Sequence, residues 1–317
     1  MIPAPLRRLA LHLPPLRRLV ESRDAALLEL EALRAAAGGG SGGAELEALR
    51  AELGTRQRAT LDALLGAARP GSFFRTTLNG APLDLPVETL RTMVHCIHVK
   101  PDRSLDLLVE TAHLTWMQER LAPGGTFLDV GAATGATALP TAHRFGQGVR
   151  IIAYEPATAA RALLEATLAR NAIATVEVRP FAVSDAEGEA NFREYLPDET
   201  GNTPWTPEAS SLMATRMPEL PSHEVRVRLV TLDQQMAEAG GFTGPVVAKI
   251  DVEGFEAFVL RGAQQLIARH RPAFAIDIHG DPFGIGAATT EPAVRALLEP
   301  SGYVCRMQGH VLLCSPG

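Results

Sequence analysis

The chain predicts an α/β fold, a mostly parallel, doubly wound sheet of seven strands closed by an antiparallel hairpin and preceded by a helical region. Three observations carry this. An apolar run ending in an acid, T-F-L-D-V at 126–130, turns through Gly131 and Gly135 into helix-forming sequence. Short apolar runs then alternate with helix-prone stretches, as βαβ units require. Two short strands, at 303–308 and 310–314, stand back to back at the end of the chain.

Residues 1–68 read as a helical accessory region. Over 16–37, Leu16, Leu19, Ala26, Leu30 and Leu33 form one stripe, interrupted by Arg23. The run G-G-G-S-G-G at 38–43 breaks the helix, and a second helical run with Leu46, Leu49 and Leu53 extends from Ala44 to Gly66. The pair suggests an antiparallel hairpin or a short coiled coil that joins a second copy into a homo-oligomer. Residues 69–104, with frequent Pro, Gly and Asn, read as a connector carrying one strand at 73–78. His95 and His98 lie three apart without a carboxylate to complete a metal site, so packed or exposed histidines are expected there.

The main domain is expected over 105–317. A helix from Leu105 to Leu121 stops at Pro123-Gly124-Gly125. After the strand at 126–130 come a helix at 134–145, a strand at 150–154, a helix at 158–170 and a strand at 175–181. Residues 191–194 and 225–230 read as an extra antiparallel pair, joined by a long proline-rich segment at 196–221 that would suit a lid. Strands at 246–250 and 273–278, separated by a helix, complete the parallel set, and a helix at 291–298 leads into the hairpin.

With 317 residues, 46% hydrophobic and 21% charged, the chain has the make-up of a globular protein with a sizeable core. A net charge of −6 argues against a broad nucleic-acid surface. No run approaches the roughly 18 apolar residues of a membrane span, and Leu9 to Leu13 is too short for a signal-peptide core. Four arginines precede Glu21, which leaves contact with anionic lipid open. Cys96, Cys305 and Cys314 are few and lack C-x-x-C spacing, so a reducing, cytoplasmic setting with cysteines packed in the core is expected.

The chemistry gathers at strand ends. In D-V-G-A-A-T-G, Asp129 stands two residues before the first glycine, where it would repel a pyrophosphate and suit a ligand bearing positive charge. A dinucleotide site would want G-x-G-x-x-G, broken here by Ala133, and a P-loop would want G-K-[ST], which is missing. The spacing therefore points to S-adenosylmethionine, with Asp129, Gly131, Ala132 and Gly135 around its methionine portion. Glu155, followed by Pro156, ends the second strand about 20 residues on, where an acid accepts hydrogen bonds from ribose hydroxyls. Ala182, Val183 and Ser184 follow the third strand, at the corner that packs on adenine.

In K-I-D-V-E-G, Asp251 and Glu253 project at the same sheet edge, and Asp251 also falls within reach of the cofactor. Either acid has the chemistry of a general base toward a hydroxyl, of a ligand to a divalent cation, or of a structural cap on the next helix. No metal is assigned. His279, ending D-I-H, is the second base candidate because its pKa lies near neutral.

The linked stretches D-V-G-A-A-T-G, Y-E-P, F-A-V-S-D, S-S-L near Ser210, V-T-L-D, K-I-D-V-E-G-F-E-A-F-V-L-R-G-A and R-P-A-F-A-I-D-I-H resemble an FkbM-type S-adenosylmethionine-dependent methyltransferase. The resemblance covers roughly residues 120–280 and implies a class I, Rossmann-like methyltransferase fold. It also implies O-methylation of sugar or glycan hydroxyls or of natural-product acceptors. The family's turn usually carries Asn and Ile where this chain has Ala133 and Thr134, and its fifth strand often ends in Glu where this one has Asp277. Two other readings stand beside it. One is a non-catalytic S-adenosylmethionine-binding or assembly protein acting through its N-terminal helices, and the other is a nicotinamide-dependent oxidoreductase.

Overall fold

A computed structural model describes residues 68–93, 96–99, 105–195, 210, 212, 221–279 and 291–317. The two helices expected in the N-terminal region, His95 and nearly all of the proline-rich segment fall outside the described residues.

Seven strands form the main sheet in the order β13-β14-β12-β11-β5-β6-β7. β5 (Thr126–Val130), β6 (Arg150–Tyr154), β7 (Val176–Arg179), β11 (Val246–Ile250) and β12 (Ala273–Asp277) run parallel. β14 (Val311–Pro316) lies antiparallel between β12 and β13 (Tyr303–Gln308). The chain moves outward from β5 to β7 and then returns to β11 on the other side of β5. The sheet therefore reverses direction between β5 and β11, which opens a crevice at the strands' C-terminal ends.

β5, β11 and β12 are buried along their whole length, which is why they read as near-continuous apolar runs. Their alternation separates two cores. Phe127, Val247 and Ala275 pack on one face with Leu83, Leu107 and Met117. Leu128, Ile250 and Ile276 pack on the other with Leu232, Val259 and Val294, from α5 (Leu232–Glu238), α6 (Glu256–Arg261) and α7 (Glu291–Leu298). Asp129, Lys249 and Asp277 continue the first face at the strand ends. Lys249 is in register with Asp129 and Ala275.

That first face is covered by a second sheet, ordered β2-β1-β4-β3. It is built from β1 (Phe73–Leu78), β2 (Ala81–Pro86), β3 (Ile97–Val99) and β4 (Leu105–Leu107), with α1 (Val87–Thr92) after β2. Residues 69–104, expected as a connector, supply most of it. Leu78, Leu83, Leu85 and Leu107 belong to the same apolar cluster as Phe127 and Val247, so this sheet shares a core with the main one. The helix expected from Leu105 is corrected here: 105–107 pair as a strand, and α2 spans Thr111–Gln118. Glu110, with φ 45°, lies in the left-handed region and cannot continue a right-handed helix.

Three further differences have local causes. The strand expected over 175–181 divides at Pro180, which has no N–H to donate. β8 (Phe181–Val183) instead joins β10 (Ser222–Val230) and β9 (Gly188–Tyr195) in a separate sheet. The helix expected at 134–145 begins at Ala138 as α3 (Ala138–Phe145), because Gly131 to Thr137 form a broad turn. Cys305 and Cys314, expected as separate core thiols, face each other across the terminal hairpin and are joined as a disulfide with Cα atoms 4.1 Å apart. α4 (Thr158–Arg170) follows β6 as expected. Among the described residues no helix is long and apolar enough to cross a membrane.

Candidate active site

The glycine turn sits between two neighbouring strand ends. Gly131 and Ala132 donate their N–H groups to the Tyr154 carbonyl at the end of β6, each at 3.0 Å, while Asp251 N–H donates to the Val130 carbonyl at 2.9 Å. This knits β6, β5 and β11 at one edge. Gly131 has φ 81°, and a Cβ built there would overlap the Asp251 carbonyl oxygen. Only glycine lets the two loops approach so closely. Gly135 has a different duty: its Cβ would press on the side chains of Leu164 and Leu139, so it allows α4 to seat against α3.

A cavity of about 210 Å³ opens over this turn. On the β6 side it is walled by Glu155, Pro156, Phe181, Ala182, Val183 and Phe192. Gly131 to Thr134 form the middle, and Glu110, Lys249 and Asp251 close the β11 side. The cavity thus runs from an apolar, carboxylate-marked end to an end of alternating charge. The hydroxyl of Thr134, in the wall, is buried and has no hydrogen-bond partner.

Glu155 is buried, and its two oxygens accept the Ala133 N–H at 2.6 Å and the Ala157 N–H at 2.7 Å. Burial raises its pKa to about 7, against the lowering effect of those two bonds. Each oxygen keeps a second lone pair for a hydroxyl. Asp129 is fully buried, accepts the Thr137 hydroxyl and does not line the cavity. Burial pushes its pKa up to about 6, although Lys249 pulls the other way. Ser184 also stands back from the cavity, with its hydroxyl on Asp185 at 3.3 Å.

At the β11 and β12 ends the charges interlock. Lys249 Nζ lies 2.9 Å from Asp251 Oδ2 and 3.9 Å from Glu110 Oε2. Burial disfavours its charge, but Asp251, Glu110 and Asp129 outweigh that and hold its pKa above the ordinary lysine value. For Asp251, burial raises the pKa and Lys249 with His279 more than reverses it, leaving the carboxyl below its usual range. His279 places Nδ1 2.9 Å from Glu256 and Nε2 3.3 Å from Glu253 and 3.6 Å from Asp251. Burial lowers its pKa, yet the Glu256 bond and the surrounding carboxylates leave it above the ordinary histidine value. Asp277 is raised to about 6, by burial first and by Asp251 second, and His310 Nε2 lies 3.3 Å away.

The structure therefore brings Asp251, Glu253 and His279 together, but only Asp251 reaches the cavity wall. Asp251, Asp277 and His279 hold donor atoms within 4.8 Å of one another, as do Glu110, Asp277 and His310, so this edge has the donors a divalent cation would need. Sequence reasoning missed Glu110, Met93, Cys96 and Val109, which line the cavity from the covering sheet and the segment after it, and Phe192 from β9. None carries a local motif. Ser210 also lines the cavity, and its hydroxyl accepts the Tyr195 N–H at 3.2 Å.

The model of the methyltransferase FkbM domain matches residues 129–305, more than half of the chain. The chain belongs to the FkbM methyltransferase family. Among solved structures, it is similar to the methyltransferase FkbM from Methylobacillus flagellatus at 15% identity and a TM-score of 0.40, covering 65% of this chain and 51% of that one. It thus spans about half the length of that relative. Fibrillarin from Aeropyrum pernix, solved with natively bound S-adenosyl-L-methionine, is 12% identical with a TM-score of 0.36, covering 80% of this chain and 86% of that one. No protein of curated function matches the sequence.

In this FkbM chain, Ala133 stands where the resemblance leads one to expect asparagine. Ala133 adopts φ 47°, a region that asparagine tolerates better than alanine. The strain is held because its N–H is anchored on Glu155.

Proposed function

We propose that the chain is an S-adenosylmethionine-dependent O-methyltransferase acting on a hydroxyl of a sugar, a glycan or a natural-product acceptor. The residues fit that cofactor. A carboxylate with spare lone pairs marks a ribose position, Phe181 to Val183 offer an adenine wall, and a charged end suits an amino-acid tail. When bound, the cofactor supplies an electrophilic methyl on a sulfonium.

The observation that carries the reading is Asp251. One of its oxygens contacts Lys249, at the charged end of the cavity, and the other faces His279 Nε2. Cofactor cavity and proton-accepting cluster meet at that residue. An acceptor hydroxyl would meet Asp251 on the cavity wall, and its proton would pass by way of that carboxylate to Nε2 of His279, oriented by Glu256, when the ring is neutral. Asp251 and Glu253 then stabilise the imidazolium that forms. Fixed alignment of the acceptor would supply much of the remaining acceleration.

Calorimetric titration with S-adenosylmethionine and S-adenosylhomocysteine, with NAD as control, tests the cofactor. Methyl-group incorporation into a panel of sugars, read by mass spectrometry, tests the acceptor. Binding of NAD in place of the other two would overturn the proposal.

A further inference from the structure

The charged end of the cavity comes from both halves of the molecule. Lys249 and Asp251 belong to the main sheet. Glu110 comes from the segment joining the covering sheet to α2, a part of the chain outside the matched family domain. Across it the charges run minus, plus, minus: Glu110, Lys249, Asp251. An α-amino acid presents a carboxylate and an ammonium on one carbon, and such a row is complementary to that pair.

The two carboxylates are not equivalent. Asp251 is committed to Lys249 at 2.9 Å and faces His279. Glu110 stands 3.9 Å from Lys249 and, among the described residues, its carboxylate accepts no hydrogen bond, although it is only one-fifth exposed. Its position is not left to chance. The Asn79 amide donates to the Val109 carbonyl at 2.8 Å and accepts the Val109 N–H at 3.0 Å and the Thr111 hydroxyl at 3.1 Å, clamping the residues on both sides of Glu110. Glu110 itself holds φ 45°, a conformation that non-glycine residues adopt at a cost. Asp129, which the sequence offers for the same duty, is fully buried with one oxygen on Thr137 and does not line the cavity.

We infer that Glu110 binds the α-ammonium of the cofactor's methionine portion and that Lys249 faces its carboxylate, so that the N-terminal sheet completes the cofactor site. This rests on the proposed S-adenosylmethionine reading. Glu110 is then a binding residue, and Asn79 positions it.

The test compares S-adenosylhomocysteine with its desamino analogue by calorimetry on the full chain, in wild type and Glu110→Gln. Wild type should bind the analogue about ten- to a hundredfold more weakly, the range for a hydrogen bond to a charged group. Glu110→Gln should weaken S-adenosylhomocysteine by a similar factor and leave the analogue within about twofold, since the group it contacts is already gone. Equal weakening of both ligands would mean a structural effect and would overturn the assignment. So would a wild type that binds both ligands alike, a result that does not depend on the variant folding. Failure of wild type to bind either ligand would overturn the cofactor reading itself and this inference with it.

Discussion

Replacing Asp129 with Asn separates two roles that the sequence merges. In the fold, Asp129 is buried beside Lys249, and its pKa stands at about 6 against an ordinary 3.8. Because the folded value is raised, the protonated form is favoured by folding. The stability it lends is present at low pH and is lost as pH rises through about 6. Each tenfold change in proton affinity is worth about 1.4 kcal/mol, so the ionised carboxylate costs about 3 kcal/mol at pH 8 and roughly half of that at pH 5. An amide is nearly isosteric, keeps an oxygen for the Thr137 hydroxyl and carries no charge. Its new N–H₂ group lacks an assured partner, which removes about 1–2 kcal/mol of the gain. Asp129→Asn should therefore be more stable than wild type at pH 8, with the advantage falling by about 1.4 kcal/mol by pH 5. At roughly 2–4 °C per kcal/mol, thermal unfolding at the two pH values resolves this. S-adenosylhomocysteine affinity should stay within about threefold, because Asp129 does not line the cavity. A stability difference independent of pH would refute the buried-charge reasoning, and a hundredfold loss of affinity would return Asp129 to the role of ligand.

Ala133→Gly should stabilise the protein by about 1 kcal/mol in urea unfolding, because φ 47° costs alanine more than glycine; destabilisation would show that the turn is unstrained. Gly131→Ala should abolish cofactor binding and turnover and cost about 2 kcal/mol or more, since the new Cβ meets the Asp251 carbonyl; an active variant would show that the β5 and β11 loops part freely. The acid limb of kcat/KM should fall above the ordinary histidine range, activity rising as His279 loses its proton. Glu256→Gln should move that limb to lower pH by removing the carboxylate on Nδ1, and an unmoved limb would exclude His279 as the titrating base.

Much of the main sheet is local physics written in order. Buried parallel strands need short apolar runs, and helices between them need length and periodicity, so β5, β6, β11, β12 and the terminal hairpin are legible from residue type alone. Glu155 and Asp251 are legible for a related reason: strand ends at the C-terminal edge are where this architecture exposes polar groups. Pro180 could have told that the third strand must divide, because a missing N–H is a local fact.

The other determinants are not local. Residues 69–104 look like a connector because their strands are short and broken by turn residues, the pairing of β1 with β4 joins segments far apart in sequence, and their apolar side chains find a core only on the face of the main sheet. Whether Asp129 meets ligand or protein depends on which way the turn folds its neighbours. Thr137, eight residues on, occupies one carboxylate oxygen and leaves the other buried without a partner. Glu110 carries no motif, and its importance arises only when a strand pairing and an asparagine clamp bring it opposite Lys249, a residue 139 positions later in the chain. Sequence determines which segments can be strand, helix or glycine turn, since those follow from backbone sterics and hydrophobic period. The tertiary structure decides which charges share a cavity, because long-range Coulomb partners and burial exist only after the sheets have packed.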